Sequence, residues 1–310
     1  MKNRFLLFLV LCSIFGYSQE QEFNSKEVTI NAFVDGTLLT PNSSETETLA
    51  IIIAGSGPTD RDGNQNFMKN NSLKKLAEAL SKNGIATFRY DKRIVKQIKK
   101  GNPNVNILFD DFVTDAISVV DYFKKDNTYK KIYVIGHSQG SLVGLLAAKE
   151  RADGFISIAG AGRSIDEVII EQIKRNAPMF IEDTKRVFNV LKEGKTTEEY
   201  PPALASIFNI GVQPFIMNWM SYNPQEIIKS LKIPALILNG TKDIQITEED
   251  AKLLKEAQPN AQLSIIENMN HVLFTILGDS LENYKSYNES YHDVSSELIS
   301  VILNFIDPLK

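Results

Sequence analysis

The stretch VIGHSQGS, Val134 to Ser141, sets a serine between two glycines where an apolar run gives way to a helical pattern. Core packing alone does not ask for that arrangement. Glycines on both sides of Ser138 remove side chains where a sharp strand-to-helix turn needs room. Such a turn lifts one hydroxyl out of the fold, and Gly136-His137-Ser138-Gln139-Gly140 fits the pattern G-x-S-x-G. The context the pattern requires is present, since KIYVIG before it reads as a strand and SLVGLLAAKE after it as a helix.

Working outward, strands and helices alternate. EVTINAFVDGTLLTP reads as a hairpin turning at Asp35-Gly36. LAIIIAGSG is a continuous apolar run of the kind a buried parallel strand shows. Next come the helix SLKKLAEALSKNG, the strand IATFRYD and the helix FDDFVTDAISVVDYFKK. GFISIAGAG is again a strand, and PALILNG and AQLSIIEN follow later, separated by the helix TEEDAKLLKEA. SSELISVILNFI closes the chain as a helix. Alternation of this kind predicts an α/β fold with a mostly parallel central sheet and helices on both faces. The alternation is interrupted from about 164 to 231 by a stretch of helical, proline-rich and aromatic sequence with no strong strand. Sheet strands flank it, so it reads as a helical cap inserted over the carboxyl edge of the sheet rather than as a second domain. The predicted organisation is one domain over 27–310 carrying this cap.

The chain starts differently. Lys2 and Arg4 precede FLLFLVLCSIF, an apolar core of 11 residues, with small residues at Gly16 and Ser18. This predicts a secretory signal peptide over 1–18, hence an exported, periplasmic or secreted protein. The run is too short for a membrane-spanning helix, which takes about 20 apolar residues. A lipoprotein signal is the rival, because Cys12 follows an apolar triplet, but Leu11 stands directly before it where a small residue is usual. Cys12 is the only cysteine, so the cleaved chain would hold no disulfide. With a net charge of -4 the chain shows no electrostatic footprint for nucleic acid. The one basic run, Lys92, Arg93, Lys96, Lys99 and Lys100, reads as a solvated surface.

A serine hydroxyl is a poor nucleophile until a base takes its proton. Three histidines are available: His137, His271 and His292. His137 adjoins the serine and reads as a packing residue. His271 follows the last strand, in a short polar loop where a base could reach Ser138. His292 sits in a polar run ahead of the final helix and reads as a surface or capping residue. The histidine needs a carboxylate to orient it and to stabilise the imidazolium. Asp243, just after PALILNG, falls between Ser138 and His271 and gives the chain order Ser, Asp, His, whereas Asp250 and Asp279 fit worse. The attacked carbonyl needs preset N–H donors. Gln139 supplies one, and the loop AGSGPTDRDGN supplies the other through Ser56, with Gly57 as the alternative. The same glycine pair invites a phosphate-binding reading, but no Lys-Ser/Thr or G-x-G-x-x-G spacing accompanies it, so no nucleotide cofactor is expected. No His/Cys/Asp cluster has metal-ligand spacing, so no metal is expected.

From about residue 27 to its end the chain resembles the α/β-hydrolase superfamily. The segments GSGPTDRDGN, FRYDKR and GHSQGS look like its secreted bacterial esterase branch with a helical cap, also called serine aminopeptidase-like. The resemblance carries Ser138, Asp243 and His271 over as nucleophile, acid and base, and Ser56 and Gln139 as oxyanion donors. It departs from the branch at Ile94, where the usual sequence is YDKRG, which touches loop shape rather than chemistry. Asp60, Arg61 and Asp62 match the branch's loop and read as an ion-paired brace, with contact to a polar substrate as the alternative. The function implied is a serine hydrolase of small carboxylic esters acting without a cofactor through an acyl-enzyme on Ser138. An amidase or short-peptide aminopeptidase on the same residues is an alternative, as is a non-catalytic binding protein on the same scaffold. The expected partner is a small-molecule ester or amide, with no nucleic acid and no stable membrane insertion. The aromatics between Phe208 and Tyr222 are expected in part to roof the acyl pocket and favour short acyl chains.

Overall fold

A computed structural model describes residues 22–42, 46–101 and 106–307. The signal peptide expected over 1–18 lies outside the described residues. Eight strands form one sheet: β1 (Phe23–Thr29), β2 (Asp35–Pro41), β3 (Thr48–Ile53), β4 (Ala86–Tyr90), β5 (Lys131–His137), β6 (Gly154–Ile158), β7 (Ala235–Gly240) and β8 (Gln262–Ile266). Their order is β1-β2-β4-β3-β5-β6-β7-β8. From β4 to β8 every pairing is parallel, while β1 and β2 add on antiparallel.

Helices α1 (Ser72–Lys82), α2 (Arg93–Lys99), α3 (Phe109–Asp126) and α4 (Gln139–Ala148) follow the early strands. Between β6 and β7 lie α5 (Ile165–Asn176), α6 (Ile181–Lys192), α7 (Ala205–Phe208), α8 (Gln213–Met220) and α9 (Pro224–Lys229). The chain ends with α10 (Glu248–Ala257), α11 (Ser280–Ser286) and α12 (Ser296–Ile306). Side chains alternate across a strand, so each central strand feeds two cores. Leu49, Ile51 and Ile53 of β3 join Phe88, Val134, Phe155 and the apolar stripe of α3 on one face. Ala50 and Ile52 join Ile135, Ile156, Leu238 and the stripes of α1 and α12 on the other. The inserted helices have a core of their own around Val187, Phe188, Leu191, Leu204 and Phe208.

Two local readings are corrected. The hairpin does not turn at Asp35-Gly36, which already lies in β2 opposite Thr29 and Val28. Its turn is Ile30–Val34, where the Asn31 side-chain oxygen accepts the N–H groups of Phe33 and Val34. Gly36 is instead required by packing, since a Cβ there would overlap the Phe88 ring. The domain also begins before residue 27, because β1 is paired with β2 from Phe23 onward.

In a parallel sheet the carboxyl ends of neighbouring strands share one edge, which gathers the loops after β3, β5, β7 and β8. The turn from β5 into α4 is the tightest of these. A Cβ on Gly136 would overlap the Gly140 carbonyl, and one on Gly140 would overlap the Ile53 carbonyl of β3. Backbone cannot yield here as a flexible side chain would. Gly140→Ala is therefore expected to cost about 1–3 kcal/mol or more, the range for overpacking a tight site. Gly211→Ala, on an open surface position, is the comparison and should stay within about 0.5 kcal/mol of wild type. Urea unfolding of the two variants tests this, and equal midpoints would contradict it.

Candidate active site

Ser138 lies between β5 and α4 with φ 54° and ψ -122°, a backbone conformation that a residue with a Cβ rarely adopts. Strain of this kind costs on the order of 1–3 kcal/mol and persists only where the surroundings hold it. Here the Ser138 N–H donates to the Ile158 carbonyl at 2.9 Å, and its own carbonyl accepts the Ser141 N–H at 2.9 Å. The hydroxyl is thereby presented at the sheet edge rather than folded into the helix.

Asp243 follows β7, and its side chain is 1% exposed. One carboxylate oxygen accepts the N–H groups of Gln245 and Ile246, at 2.8 and 2.9 Å. The other lies 2.8 Å from Nδ1 of His271, in the loop after β8. A carboxylate only accepts, so Nδ1 carries the proton and Nε2 is left with a lone pair. Ser138 and His271 line one pocket of about 60 Å³. The Asp243 and His271 loops are tied together through α11. Asn283 donates to the Lys242 carbonyl and accepts from Asn270, whose amide also donates to Ser286. Asn270 and Asn283 carry no sequence signal that would have named them.

His137 is more than a packing residue. Its Nε2 lies 2.8 Å from the His271 carbonyl, so it must donate there, and the two rings sit 4.9 Å apart. Burial, reinforced by His271, pushes its pKa down to about 3. His292 is elsewhere, bonded to Glu289 and stacked on Phe274 and Tyr291. The other two carboxylates are also occupied. Asp250 grips Arg163 with both oxygens, at 3.0 and 2.7 Å, and Asp279 caps α11.

The loop after β3 passes beside the serine. A Cβ on Gly55 would stand 3.1 Å from the Ser138 Cβ, so glycine permits the approach. Among the described residues, neither the Ser56 N–H nor the Gln139 N–H donates to a protein acceptor. The Ser56 carbonyl accepts from Thr59 Oγ1 at 2.6 Å and Gln65 Nε2 at 3.1 Å. Further along, Arg61 pairs with Asp91 and Glu27, and Arg89 with Asp62, so Asp60–Asp62 is a brace. The basic run is a solvated surface only at its end, where Lys99 and Lys100 are exposed. Lys92 is buried with its ammonium on the Gly55 carbonyl, Arg93 is bonded to Asp111 and Asp115, and Lys96 and Lys99 pair with Asp35 and Asp91. The partners of Lys92, Arg93 and Lys96 lie far away in sequence, which is why a local reading missed them.

A second cavity of about 510 Å³ opens from Ser138, Ser56 and Gln139 under the inserted helices. Ile165, Val168 and Ile169 of α5 and Phe215, Ile216 and Trp219 of α8 line it. Of the aromatics expected there, Phe215 and Trp219 roof the space. Phe208 is buried against Phe188, and Tyr222 packs on Phe109 with its hydroxyl on Asp110. Among the described residues no helix is long and apolar enough to cross a membrane, and no group of three or more His, Cys, Asp or Glu is placed to hold a metal.

A family model described as serine aminopeptidase, S33, matches residues 69–200, a span that includes Ser138 and stops before Asp243 and His271. Esterase EstD of Thermotoga maritima is 29% identical over 270 residues, 85% of this chain. The chain spans 63% of the length of that relative. Est1E from Butyrivibrio proteoclasticus superposes with a TM-score of 0.57 at 18% identity, over 91% of this chain and 98% of that one. The Pyrococcus furiosus esterase Pf2001 does so at 0.54 and 16%, over 93% and 91%. The chain has the α/β-hydrolase fold. The family model and the curated relative it matches are a serine aminopeptidase family and an esterase. The histidine pair has a consequence for stability. A histidine whose folded pKa is depressed binds its proton more readily in the unfolded chain. Stability is therefore unaffected above the ordinary histidine pKa of about 6.5 and falls with pH below it, by about 1.4 kcal/mol per pH unit. The fall continues until the folded value of about 3. Urea midpoints between pH 7 and 4 should decline in wild type and decline less in His137→Gln. Parallel curves would show that His137 is not held neutral.

Proposed function

We propose that this chain is a serine hydrolase that cleaves carboxylic esters through an acyl-enzyme on Ser138. One observation carries the reading. The strained serine stands where the pocket lined by His271, itself bonded to Asp243, meets the large cavity, with two free N–H groups beside it. In this reading the Ser138 Oγ attacks the ester carbonyl carbon while its proton passes to His271 Nε2. The carbonyl oxygen becomes an anion held by the N–H groups of Ser56 and Gln139. Collapse breaks the C–O bond, and the departing alcohol takes the proton from His271. Water then attacks the acyl-enzyme, with His271 as base, and the carboxylic acid leaves. Asp243 orients His271 and stabilises the imidazolium formed in each half.

Esters are favoured over peptides by the lining. Among the described residues no Asp or Glu lines either the large cavity or the small pocket. The only charged side chain among the described residues lining the large cavity, Arg163, is already matched by Asp250. An aminopeptidase must receive a substrate ammonium in a desolvated site, and these walls offer it no counter-charge. The EstD relationship supports the same choice. Export through a leader cut near Ser18 belongs to the proposal, and the mass of the chain recovered outside the cytoplasm reads it.

Ser138→Ala should abolish turnover of p-nitrophenyl esters and labelling by a fluorophosphonate in a folded protein. His271→Ala should lose about 10⁴-fold or more, as residues acting as a unit do, whereas His292→Ala should lose little. A folded Ser138→Ala variant that retains turnover would refute the mechanism, and unlabelled wild type would point to a binding protein.

The cavity also sets acyl preference. Its volume of about 510 Å³ falls among sites that take drug-sized ligands. That moves the expected optimum up from the shortest acyl chains to acyl groups of about four to eight carbons. In a series of p-nitrophenyl esters, kcat/KM should peak there and fall towards palmitate. A peak at palmitate would mean that α8 swings away.

A further inference from the structure

Lys92 is the most unusual charge in the molecule. It is 4% exposed, and among the described residues it has no carboxylate partner. The nearby Asp115 is committed to Arg93 at 2.7 Å. Taking a cation out of water without an anion is costly, so a fold retains one where the charge has a use. Its ammonium donates to the carbonyl of Gly55 and lies 5.3 Å from the centre of the Phe112 ring. The Gly55 carbonyl and the Ser56 N–H belong to the same peptide unit. All described peptides are trans, so these two groups point in opposite directions across one rigid plane.

We propose that Lys92 is a positioning residue of the oxyanion hole: by holding the Gly55 carbonyl on the buried side, it turns the Ser56 N–H towards the anion that forms above Ser138. The bound cation also draws electron density towards the carbonyl and makes that N–H a stronger donor. The adjoining peptide is held independently, its Ser56 carbonyl accepting from Thr59 and Gln65. Its N–H is that of Gly57, the other candidate donor. The two candidates therefore answer to different side chains, which makes them separable. Gln139, whose N–H is the second donor, lines the same small cavity as Lys92, between Ile53, Phe112 and Val143.

This inference rests on the ester-hydrolase reading, and the test keeps the two apart. Lys92→Met keeps the stem and removes the donor. Each variant is titrated with the fluorophosphonate, so rates refer to labelled sites rather than total protein. Lys92→Met should lower kcat by about 10–100-fold, somewhat less than removing an oxyanion donor outright. KM should change less than about threefold, because the ground-state ester barely uses the donor. Affinity for a trifluoromethyl ketone, whose adduct with Ser138 bears the oxyanion, should fall in parallel with kcat, and a structural role alone would not move it. An unchanged kcat in labelled Lys92→Met overturns the inference while leaving the hydrolase reading intact. So does a loss in Thr59→Val with Lys92→Met unaffected, which assigns the donor to Gly57. Unlabelled, inactive wild type overturns both.

Should Lys92→Met fail to fold, the wild type carries the test. Burial pushes the Lys92 pKa down to about 7. The titratable groups around it are Tyr90 on β4, Asp115 on α3 with its partner Arg93, and His137 on β5. Tyr90 has its pKa raised by burial, and His137 is held neutral, its pKa pushed down to about 3. Neither changes charge near neutral pH, and Asp115, whose pKa burial raises from the ordinary carboxylate value, is bonded through both oxygens to Arg93. Loss of the Lys92 proton leaves a weaker neutral donor, so kcat/KM should decline by about threefold or more as pH rises above 7, charge-assisted bonds being roughly twice as strong as neutral ones. A flat profile from pH 7 to 9 overturns the inference.

Discussion

The first turn of α4 lies against the end of β3 so closely that Gly140 meets the carbonyls of Ile53 and Ala54 with no room for a side chain. That single close approach dictates much of what surrounds it. A helix held so near β3, and with Gly136 of β5 against its Gly140, leaves too little chain for an ordinary connection, so the turning residue takes the strained backbone of Ser138. Because β3 and β5 are neighbours in the parallel block, the same approach brings Gly55 beside Ser138. The N–H of Gln139, at the start of α4, and the loop after β3 then face one place. A helix amino terminus adds its positive dipole end there, where negative charge would develop. Loosening the contact by one methyl group would move all of these together.

Charge is handled with similar economy around the sheet edge. Each buried carboxylate in this region has definite donors: Asp91 has Arg61 and Lys99, Asp115 has Arg93, Asp250 has Arg163, and Asp243 has two backbone N–H groups and His271. Satisfying them in the walls leaves the large cavity apolar and free of unmatched charge. Two groups stand outside this pattern. His137, kept neutral by burial, donates to the His271 carbonyl, and Lys92 keeps a donor on the Gly55 carbonyl. Both hydrogen-bond main-chain carbonyls beside the candidate catalytic residues.

The convergence of Ser138, Asp243 and His271 was legible in the sequence for a local reason. Each stands just past an apolar run, and in a parallel sheet the ends of such runs converge. The sheet itself was legible for the same reason, from the continuous apolar strands and the amphipathic helices between them. What the sequence hid depends on distant partners. Lys96 meets Asp35 and Lys92 meets Gly55, contacts that no window of residues contains, so the basic run read as solvent-facing. His137 looked like filler because its partner is a carbonyl in a loop after the last strand. The hairpin was misplaced because Asp-Gly is a strong turn signal, while the real turn is made by the side chain of Asn31 and Gly36 is needed to clear Phe88.

The roof of the cavity shows how aromatic content divides between support and lining. Phe208 is spent inside the cap, edge-on to Phe188, where it holds the inserted helices together. Trp219 does both tasks, since one face lines the cavity while the ring stacks on Phe109 of α3, 5.5 Å away and nearly parallel. Phe215 reaches Phe109 and Phe112 in tilted contacts. Polar bonds close the same seam, with the Tyr222 hydroxyl on Asp110 and the Asn218 side-chain oxygen accepting the Asp110 N–H. Stacked aromatic pairs contribute about 0.5–1.5 kcal/mol each beyond their buried area. The roof is therefore attached to α3, a helix of the central domain packed on the sheet, and not only to the cap. Since the same sheet carries Ser138, the distance from its hydroxyl to the ceiling is set by rigid elements on both sides, and in the proposed reaction that distance limits the acyl group.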